Sequence, residues 1–187
     1  MPDTATVQIP PAGTYRLDPE ASSITFATRH MLGLGGVHGN FRLVSGDITI
    51  TDPVTSSTAS AVIDAASFET GSAARDKDIK SVNFLHAEEH PHITFSSESL
   101  TQDGGRWLLR GQITVRGRSA PAELAITEAR TGEDGLQFKA TTRVDRYAHG
   151  LTKKKGMVAR YLDLEITARA TRGEPASGPA GPAPASG

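Results

Sequence analysis

The chain has 187 residues, 37% of them hydrophobic, with 20 Lys and Arg against 21 Asp and Glu, six His and no Cys. That length suits one domain able to bury its own core, and the missing Cys excludes disulfide frameworks, thiolate metal sites and cysteine nucleophiles. The balanced charge gives no overall pull toward nucleic acid or anionic membrane, and no run approaches the ~18 apolar residues of a spanning helix.

Residues 1–12 contain Pro2, Pro10 and Pro11, with Asp3 where a secretory signal would be basic and no apolar run of signal length. They are expected to form a flexible arm, and the chain to be cytoplasmic. A single β-rich domain is predicted over 13–172. Residues 173–187 are Gly, Pro, Ala and Ser apart from Glu174. Such a segment cannot bury enough apolar area to offset its ordering entropy, so a disordered tail is expected.

Within the domain the dominant period is two. Ile24, Phe26, Thr28 and His30 alternate with polar or small residues, followed by Ile48 and Ile50, then by Ile93 and Phe95 after Pro91. Residues 110–116, Leu124 with Ile126, Leu136 with Phe138, and 161–168 continue the pattern. Alternation of this kind marks half-buried antiparallel strands. Turn residues punctuate it at Asp18-Pro19-Glu20, Ser45-Gly46, Asp52-Pro53, Asp103-Gly104-Gly105 and 132–135. Eight to nine strands of six to ten residues are predicted. Residues 71–82 break the period and read as a loop with a short helix, packed by Ile79 and Val82 at i, i+3. The expected fold is all-β, a sandwich or closed barrel with one helical excursion.

An ordered set of short motifs goes further. Leu17-Asp18, Ser22-Ser23-Ile24-x-Phe26-x-x-x-His30, Val37-x-Gly39-x-Phe41 and Ser45-Gly46-Asp47-Ile48 open it. Ala66-Ser67-Phe68-x-Thr70, Arg75-Asp76-x-Asp78-Ile79-x-Ser81 and Asn83-Phe84-Leu85 form the middle. His90-Pro91-x-Ile93-x-Phe95, Gly111-x-Ile113-x-Val115-Arg116-Gly117 and Pro121-Ala122-x-Leu124 complete it. Over residues 14–170 this series resembles the YceI-like, polyisoprenoid-binding proteins. The resemblance implies an extended, lipocalin-like antiparallel β-barrel of about eight strands whose tunnel holds a polyprenyl phosphate or an isoprenoid quinone. It implies a carrier rather than an enzyme, needs no cofactor beyond such a bound lipid, and leaves a homodimer open. The chain departs from the family pattern at 146–150, at His86 and His90, and at Ala159-Arg160.

The candidate ligand contacts are Phe26, His30, Phe41, Phe68, Arg75, Asp76, Phe84, Phe95, Phe138 and Arg146. The aromatic residues, with Trp107, are the large apolar groups that either fill a barrel or line its cavity. His30 ends an inward-facing row, where an imidazole can meet a ligand oxygen or be satisfied within the core. Arg75 and Asp76 could meet an anionic head group at a barrel mouth, or form an ion pair fixing the helical excursion. Arg146, on a strand, is expected to be a solvated stem, and Lys153-Lys154-Lys155 a hairpin turn.

His86-Ala87-Glu88-Glu89-His90 matches the H-x-x-E-H pattern of zinc hydrolases. That chemistry needs both imidazoles one helical turn apart, and Pro91 disfavours helix at His90, so the two rings are not expected to share a face. No metal site is therefore assigned. His92 adds a nearby third imidazole for adventitious binding. The alternatives to a carrier are a metal-dependent hydrolase using His86, Glu89 and His90, and a stress-response interaction domain with a filled barrel.

Overall fold

The structure is a computed structural model that describes residues 6–28, 36–133 and 135–173. Among the described residues nine strands form: β1 (Gly13–Leu17), β2 (Ser23–Ala27), β3 (His38–Ile50), β4 (Thr58–Glu69), β5 (His92–Asp103), β6 (Arg106–Val115), β7 (Arg118–Gly132), β8 (Gly135–Asp145) and β9 (Tyr161–Arg172), and all but β1 and β4 contain an alternating run read from the sequence. One α-helix, α1 (Ala73–Lys80), follows β4. The strands run from five residues in β1 and β2 to fifteen in β7, a wider spread than the predicted six to ten.

All strand pairs are antiparallel, and they close a ring. β1 and β2 are two halves of one interrupted strand lying between β3 and β9. Tyr15 faces Ile48 and Arg172, whereas Ile24 faces Phe41 and Ile166. The interruption is the Asp18-Pro19-Glu20 turn, where the Asp18 carboxylate accepts from the Glu20 N–H and its carbonyl from the Ala21 N–H. From β9 the order runs through β8, β7, β6, β5 and β4, and β4 pairs back onto β3 from Asn40↔Glu69 to Thr49↔Thr58. The result is an eight-stranded closed barrel, which leaves no free sheet edge.

The two ends differ in construction. Two-residue turns with positive φ at both positions join β5 to β6 (Gly104, Gly105) and β6 to β7 (Arg116, Gly117). That conformation matches the right-handed twist of paired strands. One end is sealed by apolar side chains, with Tyr15, Ile50, Leu136 and Ala170 in one buried cluster. At the other end a second cluster joins Phe26, Phe68, Leu85, Val115 and Leu151. There the long connections gather: α1, residues 81–91 and residues 146–160.

Three local expectations change. The arm expected to be loose is tied down from Thr6, because Gln8 donates its N–H to the Ala129 carbonyl and Val7 packs on the closed end. Helix α1 stops at Lys80, so Val82 no longer shares a face with Ile79: Ile79 packs inward and Val82 is 58% exposed. The lysine run is a turn, as expected, but it links residues 146–149 to β9 rather than closing a hairpin. Of the predicted tail, 173–187, only Gly173 is described, donating its N–H to the Thr14 carbonyl (2.9 Å); residues 174–187, residues 1–5 of the predicted arm and His30 lie outside the described residues.

Candidate ligand tunnel

The barrel is not filled by its own side chains. Between its walls runs a cavity of about 350 Å³, within the ~300–1,000 Å³ range of small-molecule sites. Inward positions of the strands line it in rows of two. On β9 these are Leu162, Leu164, Ile166 and Ala168, a row spanning six residue steps, or roughly 20 Å of strand. Beside it, the paired β2 supplies Ile24 and Phe26, and farther round the ring β4 supplies Ala59, Ala61 and Ile63. The small side chains of β4 and the end of β9 leave the space that larger ones would fill. A larger groove of about 1060 Å³ lies on the outer wall, lined in part by Thr25, Arg143 and Glu165. A long apolar ligand there would keep one side in water, so the tunnel is the candidate site.

Eight of the ten sequence-predicted contacts line this cavity: Phe26, Phe41, Phe68, Phe84, Phe95, Phe138, Arg75 and Arg146. Phe26, Phe41 and Phe68 form a ring cluster with centroids 5.2–5.7 Å apart. Gly39 makes this cluster possible: a Cβ there would come within 2.5 Å of the Phe26 ring and closer still to the Glu69 carbonyl. Hence the glycine of the Val37-x-Gly39-x-Phe41 motif is a packing requirement.

Asp76 does not line the tunnel. It is buried at the root of α1, where its carboxylate accepts from the Thr70 N–H (3.0 Å) and hydroxyl (2.6 Å). These hydrogen bonds, helped by Lys80 and Arg75 and opposed by burial, hold the carboxyl below its ordinary value. Arg75 donates to the same Thr70 hydroxyl at 3.2 Å, so the two residues meet at Thr70. The structural reading of this motif fits the geometry, with threonine rather than a direct ion pair as its centre.

Arg146 is not a solvated stem. Strand β8 ends at Asp145, and Arg146 begins a 3-10 turn, 5% exposed, at the tunnel end. Its guanidinium donates to four backbone carbonyls: Ala159 (2.8 Å), Val158 (2.9 Å), Lys153 (3.0 Å) and Leu151. It also sits over the Tyr147 ring at 4.8 Å and the Phe84 ring at 5.7 Å. Burial lowers its pKa, yet guanidinium stays charged in proteins. The charge is spread over oxygens that would otherwise be orphaned.

Sequence reasoning missed several members of this end. His149 is buried and lines the tunnel; its Nδ1 lies 2.9 Å from the Arg118 carbonyl. A carbonyl only accepts, so Nδ1 carries the proton, and in the neutral ring Nε2 is an acceptor. At the rim, Lys154 pairs with Asp78 at 2.6 Å, joining the 151–158 segment to α1 beside exposed Met157. Nothing in a period-two pattern points to these loop positions.

The segment after the tunnel wall also departs from expectation. Residues 86–90 do form a helical turn, with the Glu89 and His90 N–H groups donating to the His86 carbonyl. Pro91 restricts only the residue before it, and His90 is the last one the turn requires. The two imidazoles therefore meet, with ring centroids 5.8 Å apart.

A closed barrel with a largely apolar tunnel, whose lining charged side chains Arg75, Asp78 and Arg146 gather at one end, has an architecture suited to a hydrophobic ligand. Comparison with known proteins places it more narrowly. The model of the YceI-like domain matches residues 15–170, and the chain belongs to that family. Protein YceI of Escherichia coli O157:H7 is 29% identical over 164 residues, covering 83% of this chain and 85% of that one. A UPF0312 protein of Pectobacterium carotovorum is 27% identical over 171 residues, covering 86% and 88%. Among solved structures, Burkholderia cenocepacia BcnA shares the fold with a TM-score of 0.70 at 17% identity, over 81% of this chain and 98% of that one. A polyisoprenoid binding domain from Saccharophagus degradans does so with a TM-score of 0.60 at 14% identity, over 87% and 100%.

Proposed function

We propose that this protein is a non-enzymatic carrier of a long-chain isoprenoid lipid, held with its tail in the tunnel and its head group at the α1 end. The observation that carries the reading is a tunnel apolar along the barrel, with Arg75, Asp78, Arg146 and His149 confined to one end. Each buried CH₂ contributes about 0.8 kcal/mol, so a prenyl tail binds tightly without polar contacts along its length. The polyisoprenoid binding domain among its structural relatives supports the same ligand class.

Of the two head groups considered, an isoprenoid quinone suits this mouth better than a polyprenyl phosphate. Arg146 already serves four carbonyls and Lys154 is paired with Asp78, which leaves Arg75, itself a donor to Thr70, as the lining cation able to meet a head group. A dianionic head group needs charge-assisted donors, whereas a quinone carbonyl needs one ordinary donor.

Mass spectrometry of organic extracts from purified protein is expected to show a prenyl lipid, and delipidated protein to take up added quinone in preference to polyprenyl phosphate. Ala61→Phe, which fills the tunnel from β4, should lower quinone uptake at least tenfold while the circular dichroism spectrum is kept. An extract free of prenyl lipid, together with no uptake of either ligand, would refute the carrier reading.

A further inference from the structure

We propose that His86, Glu89 and His90 form a binding site for a divalent late transition-metal ion, zinc being the probe of choice. Their ligand atoms lie within 4.8 Å of one another, and the His86 Nδ1 is 3.9 Å from a Glu89 carboxylate oxygen. Two imidazoles and one carboxylate are a borderline donor set that suits zinc, nickel or copper and leaves further positions to water. Hard cations such as magnesium prefer oxygen ligands alone.

The backbone holds this arrangement from several sides. His86 takes a left-handed conformation (φ 48°), uncommon for a residue with a side chain. The turn is fixed by hydrogen bonds from His86 N–H to the Ser81 carbonyl (2.9 Å), from Ala87 N–H to Lys80 (3.0 Å) and from His90 N–H to His86 (2.8 Å). Arg116, from the β6–β7 turn, donates to the carbonyls of Val82 (2.7 Å) and Phe84 (3.1 Å) and so pins the segment to the barrel. Both imidazoles are half-buried and Glu89 is exposed.

Tetrahedral zinc with bonds of about 2.0–2.1 Å sets its ligand atoms roughly 3.3 Å apart. The cluster reaches that spacing by closing about 1.5 Å at most, a shift that side-chain rotation of the exposed Glu89 and the two half-buried imidazoles supplies. His92 contributes nothing, because it enters β5 opposite Asp64. None of the three ligands lines the tunnel, although Phe84 and Leu85 immediately before them do. The ion would therefore clamp the segment that builds the tunnel wall without touching a lipid.

Titration calorimetry of the full, untagged chain with zinc chloride tests this. One zinc per chain is expected, with a Kd of about 10 µM or tighter, and no heat from magnesium chloride. Two variants, His90→Gln and His86→Asn, should each weaken zinc binding at least tenfold; asparagine at 86 tolerates the left-handed backbone. Both should retain the wild-type circular dichroism spectrum and quinone uptake. Absence of zinc binding tighter than ~1 mM, or undiminished binding in both variants, would overturn the site. Lipid extraction is unaffected by either result, so this inference and the carrier reading stand or fall separately.

Discussion

Arg146 shows how one side chain organises the functional end of the barrel. Residues 150–159 make few regular hydrogen bonds of their own, and four of their carbonyls point at a single guanidinium. The planar fork of arginine meets several acceptors at once, which a lysine point charge does not. Arg146→Met keeps much of the side-chain volume and the contact with Phe84, but leaves those carbonyls without their donor. Each buried, unsatisfied acceptor costs about 1–3 kcal/mol, partly relieved where water enters. A destabilisation of roughly 2–4 kcal/mol is expected on that basis, read as a lowered urea midpoint at unchanged m-value. A loss under about 1 kcal/mol would mean that water replaces the guanidinium at little cost.

At the scale of elements, the strands and the loops carried different amounts of information. Seven of the nine strands carry a period-two signature, so rows such as Ile24-Phe26 and Leu162-Leu164-Ile166 could be assigned to the inner face from alternation alone, whereas β1 and β4 carry none. Phe26, Phe95 and Phe138 followed from the same rule, whereas Phe41, Phe68 and Phe84 were singled out by size alone. Asp76 and Arg146 did not: their partners, Thr70 and the carbonyls of 151–159, are set by the path of irregular chain, which no period encodes. The same applies to His86 and His90, where Pro91 restricts His90 but the turn needs only the His90 N–H to close onto the His86 carbonyl.

One loop contact leads to a kinetic expectation. The 2.6 Å pair between Lys154 and Asp78 is the tie between the 151–158 segment and α1, on either side of the tunnel rim. Both side chains are about a third or more exposed, so the pair contributes little to stability, about 1 kcal/mol or less. On the proposed carrier reading, its position would make it a latch on ligand passage. Lys154→Ala should leave the melting temperature nearly unchanged and accelerate transfer of bound quinone to acceptor vesicles several-fold in stopped-flow fluorescence. Added salt should speed transfer from the wild type and not from the variant, because screening weakens exposed pairs. Equal transfer rates in the two proteins would exclude a gating role.

On the scale of the whole molecule, the fold trades packing for capacity. A barrel of eight strands can close on its own side chains; here β4 places alanines at 59 and 61 and β9 an alanine at 168 along the wall, and an apolar space of about 350 Å³ remains. Atoms around such a space lack partners on one side and lose dispersion contacts, and an apolar cavity is poorly hydrated. On the proposed carrier reading, a lipid tail that supplies the missing contacts should recover the stability forgone in the empty barrel. Ligand that binds only the folded state at 100 times its Kd adds about 2.7 kcal/mol. For a domain of this size each kcal/mol raises the melting temperature by about 2–4 °C. Delipidated protein reloaded with quinone should therefore melt roughly 5–10 °C higher than the empty form. Ala61→Phe should show the opposite balance, with less gain from quinone because its own ring occupies the tunnel. Equal melting temperatures for the loaded and empty wild-type barrel would mean that quinone does not bind the folded barrel preferentially, and would overturn the tunnel site.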